Sequence, residues 1–534
     1  MGERVVIADP LSAAGIQMLR SVPSLDVVET TGKGPEVLHD ALVDAVALIV
    51  RSETKVTADL MAKGQKLRVI ARAGIGTDNI DLEEATRRGI PVLTAPGANS
   101  TSAAEHTFAL LLALLRKVPA ASALLAAGKW DRKPFQGTEL RGKTLGVLGL
   151  GRIGTHVAKI AQGFGMNVIA LDPYVVASHA LALGVELLPL EQVLARADVL
   201  TLHLALTDET RRLLNAERLK LMKKGAVLVN TARGGLIDDA ALVAALESGH
   251  VAGAALDVFE PEPLPADSVL RKAPNVLLTP HLGASTKEAQ QRVALEIAEA
   301  VRDALLKGDL RSAVNLPGLD GASVATSKGV MDLGERLGKL AFVLGSGGVQ
   351  SVDVRYYGTD DRAADSAGVA ALKGILTAMG IERVSLVNAA HIARQRGIRA
   401  TRRAADPREF QQSLTVELVA DGRTVTVRGA LFDDAHARIV SIGEHRVDID
   451  PSGAIVVLTN RDVPGVIGRV GTILGGAGVN ILDYHQSRPP KSGEDALAAV
   501  AVEVRVPQPV LDDLRRLPEV TGVWQVDLGA RAAV

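Results

Sequence analysis

Glycines follow an apolar run at a spacing that suits the binding of a dinucleotide. Gly149, Gly151 and Gly154 form the pattern G-x-G-x-x-G directly after the run TLGVL and before a helix-forming segment. Such a turn lets a pyrophosphate reach backbone N–H groups at the positive end of the helix. Asp172 ends the next apolar run, VIALD, where a carboxylate can accept both hydroxyls of a ribose and repel a 2′-phosphate. These residues predict NAD, rather than NADP, as the cofactor.

Three further segments place reactive side chains after predicted strands. His281 follows the run VLLTP, Glu262 lies in LDVFEPEP and Arg233 lies in NTARGG. Oxidation of an alcohol removes a hydride from carbon and a proton from oxygen, and an imidazole can take up that proton near neutral pH. A neighbouring carboxylate would hold the imidazole tautomer, and a guanidinium flanked by glycines could bind a substrate carboxylate through two hydrogen bonds. A lone histidine would as readily have a structural role, so it is the combination that predicts a base, its partner and a substrate binder.

The composition excludes several classes of protein. The chain carries 60 Lys and Arg against 61 Asp and Glu, so we expect no general attraction to nucleic acid or to a membrane. It has no cysteine, which makes disulfides, thiol nucleophiles and sulfur-based metal sites impossible, and no metal is predicted. The start MGERVVIADP lacks the pattern of a signal peptide, and the apolar helix near 108–115 is shorter than the ~20 residues that a bilayer requires. We therefore expect a cytoplasmic protein.

Alternating strand-like and helical runs predict the fold class. The alternation over 5–95 and again over 144–257 indicates parallel strands linked by crossover helices. Residues 318–450 mix helices with alternating strands, and 453–527 follow the order strand, helix, strand, strand, helix, strand. The prediction is an α/β protein with two Rossmann-like doubly wound parallel-sheet domains, an α+β accessory domain and a ferredoxin-like (βαββαβ) C-terminal domain.

Two long helices and a linker are expected between these units. An Ala- and Leu-rich helix from about Ser102 to Ala127 should end at Gly128, which suits a left-handed C-cap. A second helix spans about 287–307, and the turn-forming segment VNLPG that follows it predicts a linker.

The motifs GLGRIG, NTARGGLIDDAAL, LDVFEPEP and TPHLGAST, in this order, resemble the D-2-hydroxyacid dehydrogenase family, and the length of the tail resembles the long members of that family. The resemblance implies a substrate-binding domain of residues 1–97 and 288–317 around a NAD-binding Rossmann domain of residues 98–287. It further implies an accessory domain that binds an anion or allosteric substrate at 318–452 and an ACT-type regulatory domain at 453–534. Active sites in such enzymes lie between the first two domains.

The resemblance also implies roles for individual residues. His281 would be the acid/base, Glu262 its partner and Arg233 the substrate clamp. The expected NAD-binding residues are Gly149, Gly151, Arg152, Ile153, Gly154, Asp172, Thr207, Thr231, Ala232, Arg233, Asp257, His281, Leu282, Gly283 and Ala284. Asn230 lies on the same strand end as Thr231.

A phosphorylated substrate would need a second cationic pocket besides Arg233. Arginines close two predicted strands of the first domain, although a surface arginine is often merely solvated. The candidate substrate-binding residues are Arg51, Ser52, Arg72, Ala73, Gly74, Asn99 and Arg132. Arg132 would come from a neighbouring subunit, since Trp130 beside it predicts an interface in a homodimer or homotetramer.

The tail offers a regulatory site. The segment LTNRDVPGVIGRVGTILGGAGVNILDYH resembles an ACT-type domain that binds an amino acid, with serine as the expected effector. The candidate allosteric residues are Asn460, Asp462, Gly465 and Asn480. A dimerisation module without a ligand is the alternative, because Asn460 stands where relatives often carry His or Tyr. The basic stretch from Arg394 to Arg408 is expected to be a solvated face or an anion site.

The family resemblance implies oxidation of 3-phospho-D-glycerate to 3-phosphooxypyruvate with NAD, the first step of L-serine biosynthesis, with a side reduction of 2-oxoglutarate. Two alternatives stay open at this point. One is a glyoxylate or hydroxypyruvate reductase with the same catalytic residues. The other is a NAD-sensing corepressor-like protein without enzymatic activity.

Overall fold

The computed structural model describes residues 2–316, 323–360, 362–406, 409–432, 436–488 and 495–529. The backbone groups into two compact units. One comprises Met1–Pro10, Leu19–Thr94 and Ile297–Val534, and the other comprises Leu11–Met18 and Ala95–Glu296. The predicted limit between 317 and 318 and the residue Arg408 lie outside the described residues. The four-domain division remains a prediction.

The first sheet has five parallel strands in the order β2-β1-β3-β4-β5. Its strands are β1 (Glu3–Ile7), β2 (Leu25–Glu29), β3 (Ala45–Val50), β4 (Val69–Arg72) and β5 (Val92–Thr94). The helices along this stretch of chain are α1 (Ala13–Arg20), α2 (Pro35–Leu42), α3 (Ala58–Lys63) and α4 (Leu82–Arg87). Val6, Leu48 and Ile70 are fully buried, as expected for central parallel strands whose side chains pack on both faces, and Val92 in the edge strand β5 is buried as well.

The long helix expected from 102 to 127 is in fact two helices, α5 (Ser100–Leu115) and α6 (Val118–Ala126). Lys117 between them has a left-handed backbone (φ 52°), and the axis bends by 61°. The expectation was wrong because of Pro119, which cannot donate to the carbonyl of Leu115 as a continuous helix would require. Gly128 follows α6 in the left-handed region, as expected (φ 75°).

The second sheet has seven parallel strands in the order β12-β11-β10-β9-β6-β7-β8. Its strands are β6 (Thr144–Leu148), β7 (Asn167–Leu171), β8 (Glu186–Leu187), β9 (Val199–Leu202), β10 (Ala226–Asn230), β11 (Val251–Leu256) and β12 (Val276–Leu278). The helices are α7 (Arg152–Gly163), α8 (Ala177–Ala182), α9 (Leu190–Arg196), α10 (Ala216–Leu221) and α11 (Asp239–Glu247), and α12 (Lys287–Lys307) follows. The strand order reverses at β6, where doubly wound sheets bind their ligands.

The third sheet is mixed, in the order β14-β13-β15-β16-β17-β18. Its strands are β13 (Val349–Tyr357), β14 (Arg399–Ala405), β15 (Gln412–Ala420), β16 (Arg423–Leu431), β17 (Ala437–Ile442) and β18 (His445–Ile449). Its helices are α13 (Ser323–Gly345), α14 (Arg362–Ala378) and α15 (Ala389–Gln395). Helices α13 and α14 pack backbone to backbone, since a Cβ at Gly338 would collide with the carbonyl O of Ala371.

The fourth sheet is antiparallel, in the order β20-β21-β19-β22. Its elements are β19 (Ala454–Asn460), α16 (Val466–Gly476), β20 (Ile481–Ser487), β21 (Ala496–Val502), α17 (Gln508–Arg515) and β22 (Val520–Asp527). This is the predicted βαββαβ order. The fold class predicted from sequence is confirmed for all four sheets.

Within the first compact unit, the region of α15 contacts the end of α4. Ser385 Oγ donates to the carbonyl O of Gly89 (3.0 Å), and Arg383 Nη2 donates to the carbonyl O of Gln65 (3.0 Å). Gly89 has a left-handed backbone (φ 73°), and a Cβ there would lie 2.6 Å from Asn388 Nδ2. The contact therefore depends on a glycine at position 89.

Among the described residues, no single helix is long and apolar enough to span a membrane. Helices α5 and α6 reach the required length and composition only when taken together, across their bend.

Candidate active site

The glycine turn that follows β6 is shaped by close backbone contacts. A Cβ at Gly149 would lie 2.6 Å from the carbonyl O of His203, and one at Gly154 would collide with the carbonyl O of Gly149. At Gly151, by contrast, no described atom lies within 4 Å of the position that a Cβ would occupy, so the space is open to a ligand. Gly151 is the N-cap of α7, and among the described side chains none caps the first N–H groups of that helix. Those N–H groups can bind an anion.

A cavity of about 450 Å³ adjoins this turn. Its lining includes Ser100, Gly151 and Arg152. Within the described part of the chain, the buried Oγ of Ser100 and the buried Oδ1 of Asn99 have no hydrogen-bond partner. Buried polar atoms are seldom left unpaired, so they point to a polar ligand at this place. The open glycine, the uncapped helix start and the unpaired atoms together fit the phosphates and ribose of a dinucleotide.

Asp172 lies directly after β7, where sequence predicted a ribose ligand. Its Oδ2 accepts the N–H of Leu150 (2.8 Å), and its Oδ1 accepts the N–H groups of Tyr174 (2.9 Å) and Val175 (3.2 Å). The carboxylate thus fixes the glycine turn to the end of β7. Its role toward a ribose remains a prediction, as does that of Thr207, whose exposed hydroxyl donates to Glu209 Oε2 (2.7 Å).

His281 and Glu262 form a close pair. The His281 Nδ1 lies 2.7 Å from Glu262 Oε2, and the two side chains are 45% and 36% exposed. Burial raises the pKa of Glu262, but the hydrogen bonds from His281 and from the Phe259 N–H and the nearby positive charges lower it more, so the pKa lies below its usual value. An ionised carboxylate only accepts hydrogen bonds, so Nδ1 carries a proton and Nε2 is the nitrogen that can take one up.

The backbone of His281 is in the left-handed region (φ 55°), which costs a non-glycine residue about 1 kcal/mol. Its N–H donates to the carbonyl O of Asp257 (2.9 Å) and of Thr279 (3.0 Å). These bonds hold the loop in the conformation in which the imidazole is paired with Glu262.

Asp257 is fully buried beneath that loop. Its Oδ1 accepts the Leu282 N–H (2.7 Å) and the Thr279 hydroxyl (2.6 Å), and its Oδ2 accepts the Gly283 N–H (2.8 Å). Burial raises the pKa of Asp257, but the hydrogen bonds from His106, Thr279 and Leu282 lower it more, and the net pKa is below its usual value. Asp257 is among the NAD-binding residues expected from the sequence; in the structure it anchors the segment from Leu282 to Gly283, and Ala284 follows directly.

Arg233 follows β10 on a turn that is set by Asn230. The Asn230 Oδ1 accepts the N–H of Ala232 (3.0 Å), and its Nδ2 donates to the carbonyl O of Arg233 (2.8 Å). Arg233 is partly buried, and its Nη1 donates to the carbonyl O of Ala232 (2.6 Å). Thr231 is buried and shares a hydrogen bond with Thr107 (2.8 Å between the two Oγ1 atoms).

The first compact unit holds five of the seven candidate substrate residues. Arg51 and Ser52 follow β3 on a loop whose Arg51 N–H donates to the buried carboxylate of Asp9 (2.6 Å). Asn79 Nδ2 donates to the carbonyl O of Arg51 (2.8 Å) on the other side. Arg72 closes β4, is followed by the buried Ala73, and lies against Gly74, where a Cβ would collide with its guanidinium.

The second compact unit holds the other two, Asn99 and Arg132. Asn99 precedes α5, and Arg132 is exposed beside Trp130, which is 80% exposed. Helix α6 precedes Trp130 and Arg132 in the chain, and none of its nine described residues is buried.

The four candidate allosteric residues do not come together within one chain. Asn460 ends β19, with Nδ2 donating to the carbonyl O of Arg461 (2.8 Å), and Asp462 and Gly465 follow at the start of α16. Asn480 is exposed just before β20, beyond the far end of this 11-residue helix, which is about 16 Å long. In the accessory region Arg394 and Arg396 are exposed, while the buried Nε2 of His391 has no partner among the described residues.

The described residues include no group of three or more His, Asp or Glu side chains that could hold a metal ion.

Comparisons with known proteins assign these regions to families. Residues 108–283 match the D-isomer specific 2-hydroxyacid dehydrogenase NAD binding domain, 327–443 match the D-3-phosphoglycerate dehydrogenase intervening domain, and 454–519 match the ACT domain. A protein of Synechocystis named D-3-phosphoglycerate dehydrogenase is 39% identical over 98% of this chain and 95% of its own length. One of Methanocaldococcus jannaschii with the same name is 40% identical over 98% of this chain and 100% of its own length. The chain belongs to the D-3-phosphoglycerate dehydrogenase family.

A solved structure is similar to more than half of the chain. The D-lactate dehydrogenase of Aquifex aeolicus, complexed with NAD and lactic acid, is 32% identical with a TM-score of 0.51, covering 58% of this chain and 97% of its own. This chain also contains the regions that match the intervening and ACT domains, and its nucleotide-binding domain belongs to a family that binds NAD.

Sequence reasoning missed the residues that hold the site together. Asp9 and Asn79 fix the loop of Arg51, and His106, Thr107 and Ser102 reach the loops of His281 and Arg233 from α5. The segment SAAEHTFALL contains polar residues within an apolar helix, which indicates that these residues have buried hydrogen-bond partners. The pattern does not indicate which residues those partners are.

Proposed function

We propose that this chain oxidises 3-phospho-D-glycerate to 3-phosphooxypyruvate with NAD, the first step of L-serine biosynthesis. The pairing of His281 with Glu262 carries the proposal, because it supplies an oriented base near the turn of Arg233 and in the same unit as the glycine turn. Full-length similarity to proteins of that name, including the tail, supports the phosphorylated substrate. It disfavours both a glyoxylate or hydroxypyruvate reductase and a corepressor-like protein.

The chemistry divides between the cofactor and three side chains. NAD supplies, when bound, the acceptor for the hydride from C2 of the substrate. His281 Nε2 takes the proton of the C2 hydroxyl, while Glu262 accepts the hydrogen bond from Nδ1 and stabilises the imidazolium. Arg233 binds the substrate carboxylate with its guanidinium. In the reverse direction His281 returns the proton to the carbonyl oxygen.

The cofactor contacts are proposed for the glycine turn and three loops. The open space at Gly151 and the uncapped start of α7 support binding of the pyrophosphate there, next to Arg152 and Ile153. Asp172 would bind the ribose and Thr207 the adenosine side. Residues 231–233, Asp257 and 281–284 would surround the nicotinamide, with Asp257 acting through the loop that it anchors.

The phosphate of the substrate is proposed to bind the first compact unit. Arg51 and Arg72 supply positive charge at the carboxyl ends of neighbouring strands β3 and β4, with Ser52, Ala73 and Gly74 beside them. Asn99 would also contact the substrate, and Arg132 would do so from a neighbouring subunit. A side reduction of 2-oxoglutarate stays a prediction.

A homodimer is proposed from the surface of α6. Val118 and Leu125 are 53% and 57% exposed, and Trp130 follows at 80%, an apolar surface that a second copy would cover. Sedimentation of the wild type and of a Leu125→Asp/Trp130→Ala variant tests this, with dissociation of the variant expected. An unchanged mass would contradict it.

Serine is proposed as an effector that binds between two ACT-type regions. Asp462 and Gly465 lie at one end of α16 and Asn480 beyond the other, so a complete site would need Asn480 from a second chain. Millimolar serine should lower the rate of the wild type and leave an Asp462→Ala variant unaffected. If serine changes neither the rate nor the Tm of the wild type, the region is a dimerisation module only.

The activity itself is tested by NADH production. With NAD, the wild type should form NADH from 3-phosphoglycerate far faster than from glycerate, and more slowly with NADP in place of NAD. Preferred reduction of glyoxylate with NADH would favour the alternative reductase, and no turnover of any of these substrates would favour the sensor.

A further inference from the structure

Helix α5 places three polar side chains, those of Ser102, His106 and Thr107, against the rest of the protein. Ser102 and Thr107 are 4% and 1% exposed, and the side chain of His106 is 18% exposed. Ser102 and His106 are four residues apart and lie on the same side of the helix, and Thr107 lies about 100° further round. Burying a hydroxyl or an imidazole costs free energy unless the group is hydrogen-bonded, so we expect each of these three side chains to have a hydrogen-bond partner.

Two of these side chains hold the loop of His281. Ser102 Oγ donates to the carbonyl O of Gly283 (2.8 Å). His106 Nε2 lies 3.1 Å from Asp257 Oδ1 and 3.4 Å from Thr279 Oγ1. Since Asp257 in turn accepts the N–H groups of Leu282 and Gly283, His106 orients the carboxylate on which the loop rests.

The third side chain holds the loop of Arg233. Thr107 Oγ1 donates to the carbonyl O of Ala103 (2.8 Å), which leaves it to accept the hydroxyl hydrogen of Thr231 (2.8 Å). Thr231 is the first residue after β10, two positions before Arg233.

The sheet alone does not fix these loops relative to each other. The last register pairs are Asn230 with Leu256 and Leu256 with Leu278. Arg233 and His281 lie three residues beyond these pairs, and beyond them the N–H of His281 is bonded to the carbonyl O of Asp257. A rigid element that contacts both loops would help to set the distance between the two side chains.

We infer that α5 is this element, and that Ser102, His106 and Thr107 are positioning residues that act through Gly283, Asp257 and Thr231. The inference rests on the proposed roles of His281 and Arg233. It assigns Ser102 and His106 to the loop of His281 and Thr107 to the loop of Arg233. Replacing a residue of one group should therefore affect a different loop from replacing a residue of the other.

Hydrogen–deuterium exchange of the cofactor-free protein tests the assignment without reference to activity. Thr107→Val should speed exchange in peptides that cover 230–236, and His106→Leu in peptides that cover 279–284. Thr107→Ser and His106→Gln, which keep a hydrogen-bonding group, should restore most of the protection. Thr30→Val is the matched control, because its buried hydroxyl donates to the carbonyl O of Ile7 and touches neither loop.

The steady-state constants KM and kcat should also respond differently to the two substitutions. Displacing Arg233 should raise KM for 3-phosphoglycerate about tenfold in Thr107→Val, and displacing His281 should lower kcat about tenfold in His106→Leu. Thr30→Val should change neither constant. If His106→Leu does not fold, Ser102→Ala removes the other anchor of the same loop and should have the same signature.

The inference would be overturned if exchange increased equally and throughout the chain in Thr107→Val, His106→Leu and Thr30→Val. It would also be overturned if the kinetic constants of Thr107→Val and His106→Leu did not differ from those of Thr30→Val. Failure of the wild type to oxidise 3-phosphoglycerate would instead overturn the proposed function, and the exchange pattern would still decide whether α5 anchors the two loops separately.

Discussion

The buried carboxylate of Asp9 accepts the backbone N–H of Arg51 at 2.6 Å, and it accepts the N–H of Thr54 as well. Two strands of the first sheet are thereby joined at the loop that is proposed to bind the phosphate of the substrate. Replacing the acceptor with an amide would place a donor against these N–H groups.

Asp9→Asn should therefore raise KM for 3-phosphoglycerate about tenfold while leaving KM for NAD unchanged, because misplacing one charged contact costs about 1.4 kcal/mol. Asp44→Asn, which removes an exposed carboxylate of the same sheet region, is the control. Steady-state kinetics with both substrates varied separately measures the effect. A parallel rise of the two KM values would show that the loop does not act on the phosphate.

Glu262→Gln should lower kcat by about 100-fold, since the amide cannot stabilise the imidazolium that forms on His281. The pKa of Glu262 lies below its usual value, so the carboxylate is ionised throughout pH 6–9 and the loss should be similar across that range. Glu260→Gln changes the same loop at a residue paired with Arg211 and serves as control. A loss of equal size in both variants would argue against a specific pair with His281.

Asp239→Asn should stabilise the protein above pH 6. Burial, together with the charges of Asp238 and Glu260, raises the pKa of Asp239 to about 6. Its ordinary value is 3.8, so the folded chain takes up a proton between these pH values and stability falls as the pH rises through them. The expected gain at pH 8 is about 1 kcal/mol after allowance for partial exposure, and none at pH 4. Tm values at both pH values measure it, with Asp59→Asn at the start of α3 as control; a gain at pH 4 as large as at pH 8 would contradict the assignment.

Gly89→Ala should lower Tm more than Gly32→Ala. Both glycines are left-handed, with φ 73° and 70°, so each substitution costs about 1 kcal/mol of backbone strain. A Cβ at Gly89 would also press on Asn388 Nδ2, whereas at Gly32 no described atom lies within 4 Å. Differential scanning calorimetry of both variants isolates the contact, and equal shifts would show that it contributes nothing.

The local chemistry of the cofactor turn was readable from sequence because each part is fixed by neighbouring residues. Gly149, Gly151 and Gly154 determine one turn, and the pairing of His281 with Glu262 follows once both lie at neighbouring strand ends. The break between α5 and α6 is equally local, but the sequence prediction overlooked Pro119, which indicates it. These features need no knowledge of distant contacts.

What the sequence could not supply was the identity of partners far apart in the chain. Asp172 has a backbone-fixing role that was not predicted, and nothing near it in sequence points to Leu150. The contacts of α5 with two loops join residues more than a hundred positions apart, and periodicity alone does not encode such pairs.

The contact of Ser385 and Arg383 with the carbonyl groups of Gly89 and Gln65 bears on any shortened version of this protein. Cutting the chain after residue 316 would remove both donors and leave the two carbonyl groups to water, along with the surface around them. The truncation therefore changes the surface of the part that is kept, in addition to removing the residues after 316.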